Sequence, residues 1–257
     1  MKIGFFDSGI GGLTVLSEAL KRLPQHEYLY YADTDHAPYG PKPKDEVRQY
    51  VFEAIEFLVN EGAEVIVIAC NTATSIAVNE LRAKYTLPII GMEPAVKPAI
   101  ELTKGTGKRV LVTATPLTLK EEKLQCLINK LDQDHVTDLL PLPDLVRFAE
   151  RFDFSDETVI PYLNAQLASH EVNAYGAIVL GCTHFPLFSS HFKKIFPSDI
   201  QLIDGSVGTV SHLESMIDAN HVSNLHSNDV TFFQSGRLVS DEREIQEFTR
   251  VLTYLMA

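Results

Sequence analysis

A chain of 257 residues, 45% hydrophobic and 22% charged, is long enough to bury a large core and too mixed in composition to be disordered or membrane-embedded. Its 22 Lys and Arg against 34 Asp and Glu leave a formal charge of −12, which argues against a surface that collects nucleic acid or acidic lipid and makes a small solute the expected partner. No apolar run approaches the roughly 20 residues of a membrane span, and Met1 and Lys2 lead straight into strand-like text with no signal-peptide pattern, so a cytoplasmic protein is expected.

Along the chain, seven short apolar runs read as buried parallel strands: IGFFD (3–7), YLYYAD (28–33), EVIVIAC (64–70), LPIIGME (87–93), RVLVTAT (109–115), AIVLGC (177–182) and IQLIDG (200–205). Glycine-rich SGIGG follows the first, but its spacing matches neither a dinucleotide fingerprint nor a phosphate loop. TDHAPYGPKP (34–43) follows the second as a proline-stiffened loop at a strand end. In DEVRQYVFEAIEFLVNEG (45–62), Val47, Tyr50, Val51, Ala54, Ile55 and Leu58 share one helical face and Gly62 stops the run. THFPLFSSHFKKIF (183–196) reads as a further helix. Repeated β-then-α text specifies parallel sheets flanked by helices, with ligands at the carboxyl ends of the strands.

EVIVIAC-NTAT (64–74) and GAIVLGC-THFP (176–186) are alike: each is an apolar strand ending in Cys that leads through a polar pair into a helix. Cys70 and Cys182 lie close to half a chain apart, which suggests two related α/β halves facing one another. At a helix start, dipole and free N–H groups favour a thiolate and also a bound carboxylate, so both thiols are expected to have a lowered pKa. Cys126 sits in a helical stretch among Leu and Ile and is read as a small hydrophobe. The odd cysteine count fits a reducing compartment.

Four readings of Cys70 and Cys182 stand side by side. Both simply end buried strands; or Cys182 and His184 begin a metal site, for which no Cys-x-x-Cys or His-x-x-x-His supplies further ligands. Alternatively, His184 activates Cys182 as a nucleophile, which leaves Cys70 unexplained. The last reading uses both thiols on one carbon, one removing a proton from one face while the other delivers a proton to the opposite face. That inverts a stereocentre, and an amino acid suits such a site because donors at helix starts can hold its carboxylate.

DSGIGGLTVL (7–16), APYG (37–40), ACNTAT (69–74) and GCTHFPL (181–187), with VTATPLTLKE (112–121), together resemble the glutamate racemases of the cofactor-independent aspartate/glutamate racemase superfamily. The resemblance spans most of the first 205 residues and implies two similar parallel-sheet α/β domains in pseudo-twofold arrangement, with the active site in the crevice between them. It places residues 1–92 and 206–257 in the first domain and 93–205 in the second. It implies glutamate as substrate, no pyridoxal phosphate or other cofactor, no metal, D-glutamate for peptidoglycan as product, and leaves room for a homodimer. By this likeness Cys70 takes the α-proton from D-glutamate and Cys182 from L-glutamate, and substrate contacts fall to Asp7, Ser8, Tyr39, Gly40, Asn71, Thr72, Thr183 and His184.

Physical roles can be set beside that transfer. Asp7 is an anion for the substrate ammonium or the thiol system, or else a helix cap. Asn71, Thr72 and Thr183 carry short donors suited to a carboxylate, and His184 can share a proton with Cys182. Glu150 matches the acidic residue the family carries after the middle strand of the second domain, although PDLVRFAER (143–151) departs from the usual Pro-Leu-Val-Glu-like wording. Asp33 is left to turn chemistry, and Thr115 and Thr118 stand as candidates for the substrate amine. The competing activities are aspartate racemisation, where Glu commonly follows the second Cys-Thr in place of His184, and a Cys-His hydrolase or lyase acting through Cys182.

Overall fold

The computed structural model describes residues 1–92, 95–217 and 229–256. The chain opens with β1 (Lys2–Asp7), α1 (Leu13–Arg22), β2 (Glu27–Ala32), α2 (Lys44–Asn60), β3 (Val65–Ile68), α3 (Asn71–Lys84) and β4 (Ile89–Gly91). A second series follows: α4 (Val96–Thr103), β5 (Arg109–Ala114), α5 (Pro116–Lys120), α6 (Glu122–Leu131), β6 (Thr137–Pro141), α7 (Pro143–Glu150), α8 (Asp156–Gln166), β7 (Tyr175–Leu180), α9 (Ser189–Ile195) and β8 (Gln201–Ile203). The last stretch holds α10 (Ser206–Met216), β9 (Val230–Gln234), β10 (Arg237–Leu238) and α11 (Glu242–Met256).

The strands form two sheets, ordered β10-β9-β2-β1-β3-β4 and β6-β5-β7-β8, parallel throughout except for the β9–β10 pair. In both series the first strand is central, the second pairs on one side, and the third and fourth pair on the other. This repetition puts a topological switch point beside the first strand of each sheet, where loops leave in opposite directions and open a crevice. In the first sheet, Phe6 pairs with Ile68, so the loops after β1 and β3 emerge at one edge.

Strand text is nearly continuous in hydrophobicity because both faces are covered. Phe5 and Phe6 are each fully buried, in separate clusters on opposite faces of the sheet. Truncating either to Ala would cost about 3–5 kcal/mol. Along α2, Val47, Val51, Ala54, Ile55 and Leu58 are buried, and Gly62 lies just beyond at φ 88°. Tyr50, expected on that stripe, is only half-buried and stacks on His36 instead, with ring centroids 3.7 Å apart.

The structure departs from the expected elements in several places. β6, β9 and β10 are not among the seven expected strands: β6 is a half-buried edge strand, β10 has two exposed residues, and VTFFQ of β9 is a β-branched and aromatic run that the expectation passed over. Residues 183–196 are not one helix. Phe185–Phe188 forms a 3₁₀ turn around Pro186, and α9 follows. Phe185, Leu187 and Phe188 are all buried, and the tighter turn points them inward where a single α-helical stripe could not. Glu93, the last residue of the fourth expected strand, lies outside the described residues, as do residues 218–228 of the returning segment. Among the described residues, no helix is long and apolar enough to cross a membrane.

Candidate active site

Asp7 ends β1 and is fully buried. The Gly9 N–H donates to its Oδ1 at 3.0 Å and the Thr183 hydroxyl to its Oδ2 at 3.0 Å, which ties the first switch point to the second. It does not cap α1, whose N-cap is Gly12 with no side-chain bond. Burial raises its carboxyl from the ordinary 3.8 to about 6, against the lowering pull of His184 and of the Gly9 and Thr183 bonds.

The SGIGG turn owes its glycines to close approach. A Cβ on Gly9 would stand 1.9 Å from Glu150 Oε1, and one on Gly11 would stand 2.4 Å from His184 Nδ1. Either would drive the two halves apart. Beneath the turn, the Tyr30 hydroxyl donates to the Gly9 carbonyl at 2.7 Å, and the Ile10 N–H donates to Glu150 Oε1 at 2.9 Å.

Cys70 follows β3 as the N-cap of α3, its Sγ accepting from the Ala73 N–H at 3.5 Å and lying 3.8 Å from Ser8 Oγ. The expectation of a lowered pKa fails here. Burial and the neighbouring Asp7 carboxylate raise the thiol well above its usual range, outweighing the Ala73 and Ser8 bonds. Asn71 is buried with both its amide nitrogen and oxygen unpartnered. Such a group costs about 1–3 kcal/mol unless something polar meets it, so Asn71 is poised for a ligand. Thr72 Oγ1 lies 3.1 Å from Thr115 Oγ1 and 2.9 Å from Thr118 Oγ1, and Thr115 in turn caps α5 through the Thr118 N–H.

Cys182 stands at the matching position after β7, 3.6 Å from His184 Nδ1. The far side of that ring, Nε2, is 2.5 Å from Glu150 Oε1. Burial by itself would lower the imidazolium pKa, but the bonds to Cys182 and Glu150 overcome it and hold His184 well above its ordinary value. Glu150 ends α7, after the edge strand β6 rather than a middle strand as the family likeness implied.

The loop after β2 closes the site. Tyr39 is buried, and its hydroxyl donates to Asp33 Oδ2, which burial and that carboxylate favour by raising the phenol pKa. Asp33 also accepts from the Ser235 hydroxyl at 3.0 Å and meets His36 Nδ1 at 2.9 Å, so it anchors the loop. Gly40 approaches the other half so closely that a Cβ there would meet Thr115 Cβ at 3.0 Å.

Cys70 and Cys182 line one cavity of about 50 Å³. Of the other expected site residues, Ser8, Tyr39, Gly40, Asn71, Thr72, Thr183 and His184 also line it, while Asp7 and Glu150 lie behind in the hydrogen-bonded layer. Pro143, Val146 and Arg147 of α7 line it too and were not anticipated. Their spacing with Glu150, at i, i+3, i+4 and i+7, is the one signal in PDLVRFAE that marks a shared helix face. Cys126 is exposed rather than packed as a small hydrophobe, and lies away from this layer. Among the described residues, no cluster of three His, Cys, Asp or Glu is arranged to hold a metal.

The family model for Asp/Glu/hydantoin racemase matches residues 13–213. Glutamate racemase 2 of Bacillus subtilis (strain 168) is 50% identical over 255 residues, covering 99% of this chain and 96% of that protein. The crystal structure of Escherichia coli glutamate racemase in complex with L-glutamate and activator UDP-MurNAc-ala has a TM-score of 0.83 at 25% identity, covering 99% of this chain and 94% of that one. Glutamate racemase from Francisella tularensis subsp. tularensis SCHU S4, in complex with D-glutamate, has a TM-score of 0.78 at 27% identity over 99% of this chain and 93% of that one. Matched over most of its length by the family model, and sharing half its residues with a full-length relative, the chain belongs to the Asp/Glu/hydantoin racemase family.

Proposed function

We propose that this protein interconverts L- and D-glutamate, with Cys70 and Cys182 as the two acid–base groups and no cofactor. The observation that carries the reading is the pair of buried cysteines on one cavity, each just after the third strand of its own sheet. A thiolate on one face takes the α-proton, so that an S–H bond forms as the C–H bond breaks and its electron pair stays on the carbon and its carboxylate. The opposite thiol then gives its proton to the other face and becomes the thiolate. Burial keeps Cys70 as a thiol, the form that donates when L-glutamate is deprotonated at Cys182. His184, held by Glu150, stands where it can exchange a proton with Cys182. Asn71, Thr72 and Thr183 hold the α-carboxylate, while Ser8, Tyr39 and Gly40 close on the rest of the substrate and Asp7 fixes Thr183 from behind. Such preorganised donors in a site closed to water lower the cost of the carbanion.

Glutamate rather than aspartate is supported by the 50% identical relative, which bears the glutamate racemase name, and by His184 after Cys182-Thr183. The Cys-His hydrolase reading leaves the buried Cys70 on the same cavity without a task. We assign residues 1–92 and 206–257 to one domain and 93–205 to the other. Support comes from Arg22 of α1, which pairs with Glu214 of α10. The setting is the cytoplasm, and the product is D-glutamate for peptidoglycan.

The test is α-proton exchange in deuterated water without added cofactor. Both enantiomers should lose their α-proton resonance while the circular dichroism signal decays to zero. Absence of exchange would overturn the reading, and faster turnover of aspartate would overturn the substrate.

A further inference from the structure

The net charge of −12 opposes capture of a substrate that is itself an anion with two carboxylates. Asp7 behind the cavity, and Glu150 and Glu247 in the cleft that adjoins it, add acidic groups rather than basic ones. Among the described residues that line the cavity, Arg147 alone brings a guanidinium or ammonium group. The same residue also lines an adjoining cleft of about 420 Å³, which shares only Pro38 and Arg147 with the inner cavity. Arg147 therefore stands at the neck between them. Its partner is Asp144, three residues earlier on α7, with Oδ1 at 2.7 Å. The two side chains are 52% and 36% exposed, and an ion pair that open to water contributes at most about 1 kcal/mol. Exchanging it for another carboxylate therefore costs little, and a planar guanidinium binds an incoming carboxylate with two parallel bonds.

We infer that Arg147 captures the dicarboxylate at this neck, exchanging Asp144 for a substrate carboxylate, and so sets affinity for acidic substrates without taking part in proton transfer. The inference rests on the racemase reading above. It explains how a strongly acidic protein draws in an acidic amino acid through a guanidinium at the neck of its own cavity, with Arg151 farther out in the adjoining cleft.

Wild-type protein, Arg147→Gln and Arg147→Lys are compared by initial racemisation rates at ionic strengths from ~0.01 to ~1 M, over which the Debye length shrinks from about 30 to about 3 Å. The Gln variant should raise KM about tenfold and lower kcat less than about twofold, the signature of lost uniform binding. The Lys variant should keep KM within about threefold of wild type. Wild-type KM should climb severalfold with salt, while that of the Gln variant does not rise, since salt then screens only the repulsion between an acidic protein and an anionic substrate. A Gln variant with wild-type KM and salt response overturns the inference, as does one that loses kcat at unchanged KM; both leave the racemase reading standing. Wild-type protein that exchanges no α-proton of glutamate overturns both.

Discussion

The two cysteine loops occupy the same place in two sheets of the same strand order, yet they are supported by different chemistry. Cys182 has an imidazole 3.6 Å away, itself braced by a carboxylate on α7. Cys70 has only a backbone N–H and a serine hydroxyl, with the Asp7 carboxylate nearby raising its pKa. Repetition of a fold thus supplies the symmetry that a mirror-image reaction needs, while the protonation machinery need not be symmetric. The difference is carried by one residue that breaks the repeat and one that lies outside it: His184 has Thr72 as its counterpart two positions after the cysteine, and Glu150 reaches in from the helix after β6.

The largest test of this comparison removes the thiols. Cys70→Ser and Cys182→Ser should each lower racemisation at least about 10³-fold with the fold intact. If either retained ordinary turnover, the two loops would not be equivalent in role. Next, His184→Asn or Glu150→Gln should lower kcat/KM about 10²-fold. The loss must be equal for L- and D-glutamate, because the enantiomers have equal free energy in water, so the asymmetry of the loops should appear only in kcat and KM taken separately and in the α-deuterium isotope effects. Equal isotope effects in both directions would show that the imidazole serves both thiols alike.

The smallest effect is on stability. The Asp7 pKa rises from 3.8 to about 6 in the folded protein, so its contribution favours folding below about pH 4, where it is protonated in both states, and is lost as pH climbs through about 6. Between pH 4 and pH 8, Asp7→Asn should therefore gain about 2–3 kcal/mol relative to wild type, measured by urea unfolding, while losing activity. A difference that stays constant with pH would mean that Asp7 is not carrying a buried charge.

Much of this was legible in the sequence because both sheets are covered on both faces, which writes strands such as VIVI and AIVL as unbroken apolar runs. β6 was not, since the edge strand TDLLP is half-buried and mixes Asp with Leu. The cysteines and their neighbouring Asn and Thr stand out because strand, turn and helix start are local signals. Glu150 and Arg147 act through a helix face that meets the site only after long-range packing, so the spacing in PDLVRFAE marks a shared face without showing what that face meets. The raised Cys70 pKa was missed for a related reason: a helix start can be read from neighbours in sequence, while burial depends on the other half of the molecule.

The hydroxyl cluster of Thr72, Thr115 and Thr118 joins α3 of one series to α5 of the other beside a cavity of about 50 Å³. The wall of the cavity at this point is thus built by hydroxyls from both series. Neutral hydroxyl bonds contribute about 1 kcal/mol each, so the cluster fastens the two series with bonds that are individually weak. Such a seam holds through several weak bonds rather than one strong one, and Thr72→Val would loosen it by about the worth of the bonds it removes.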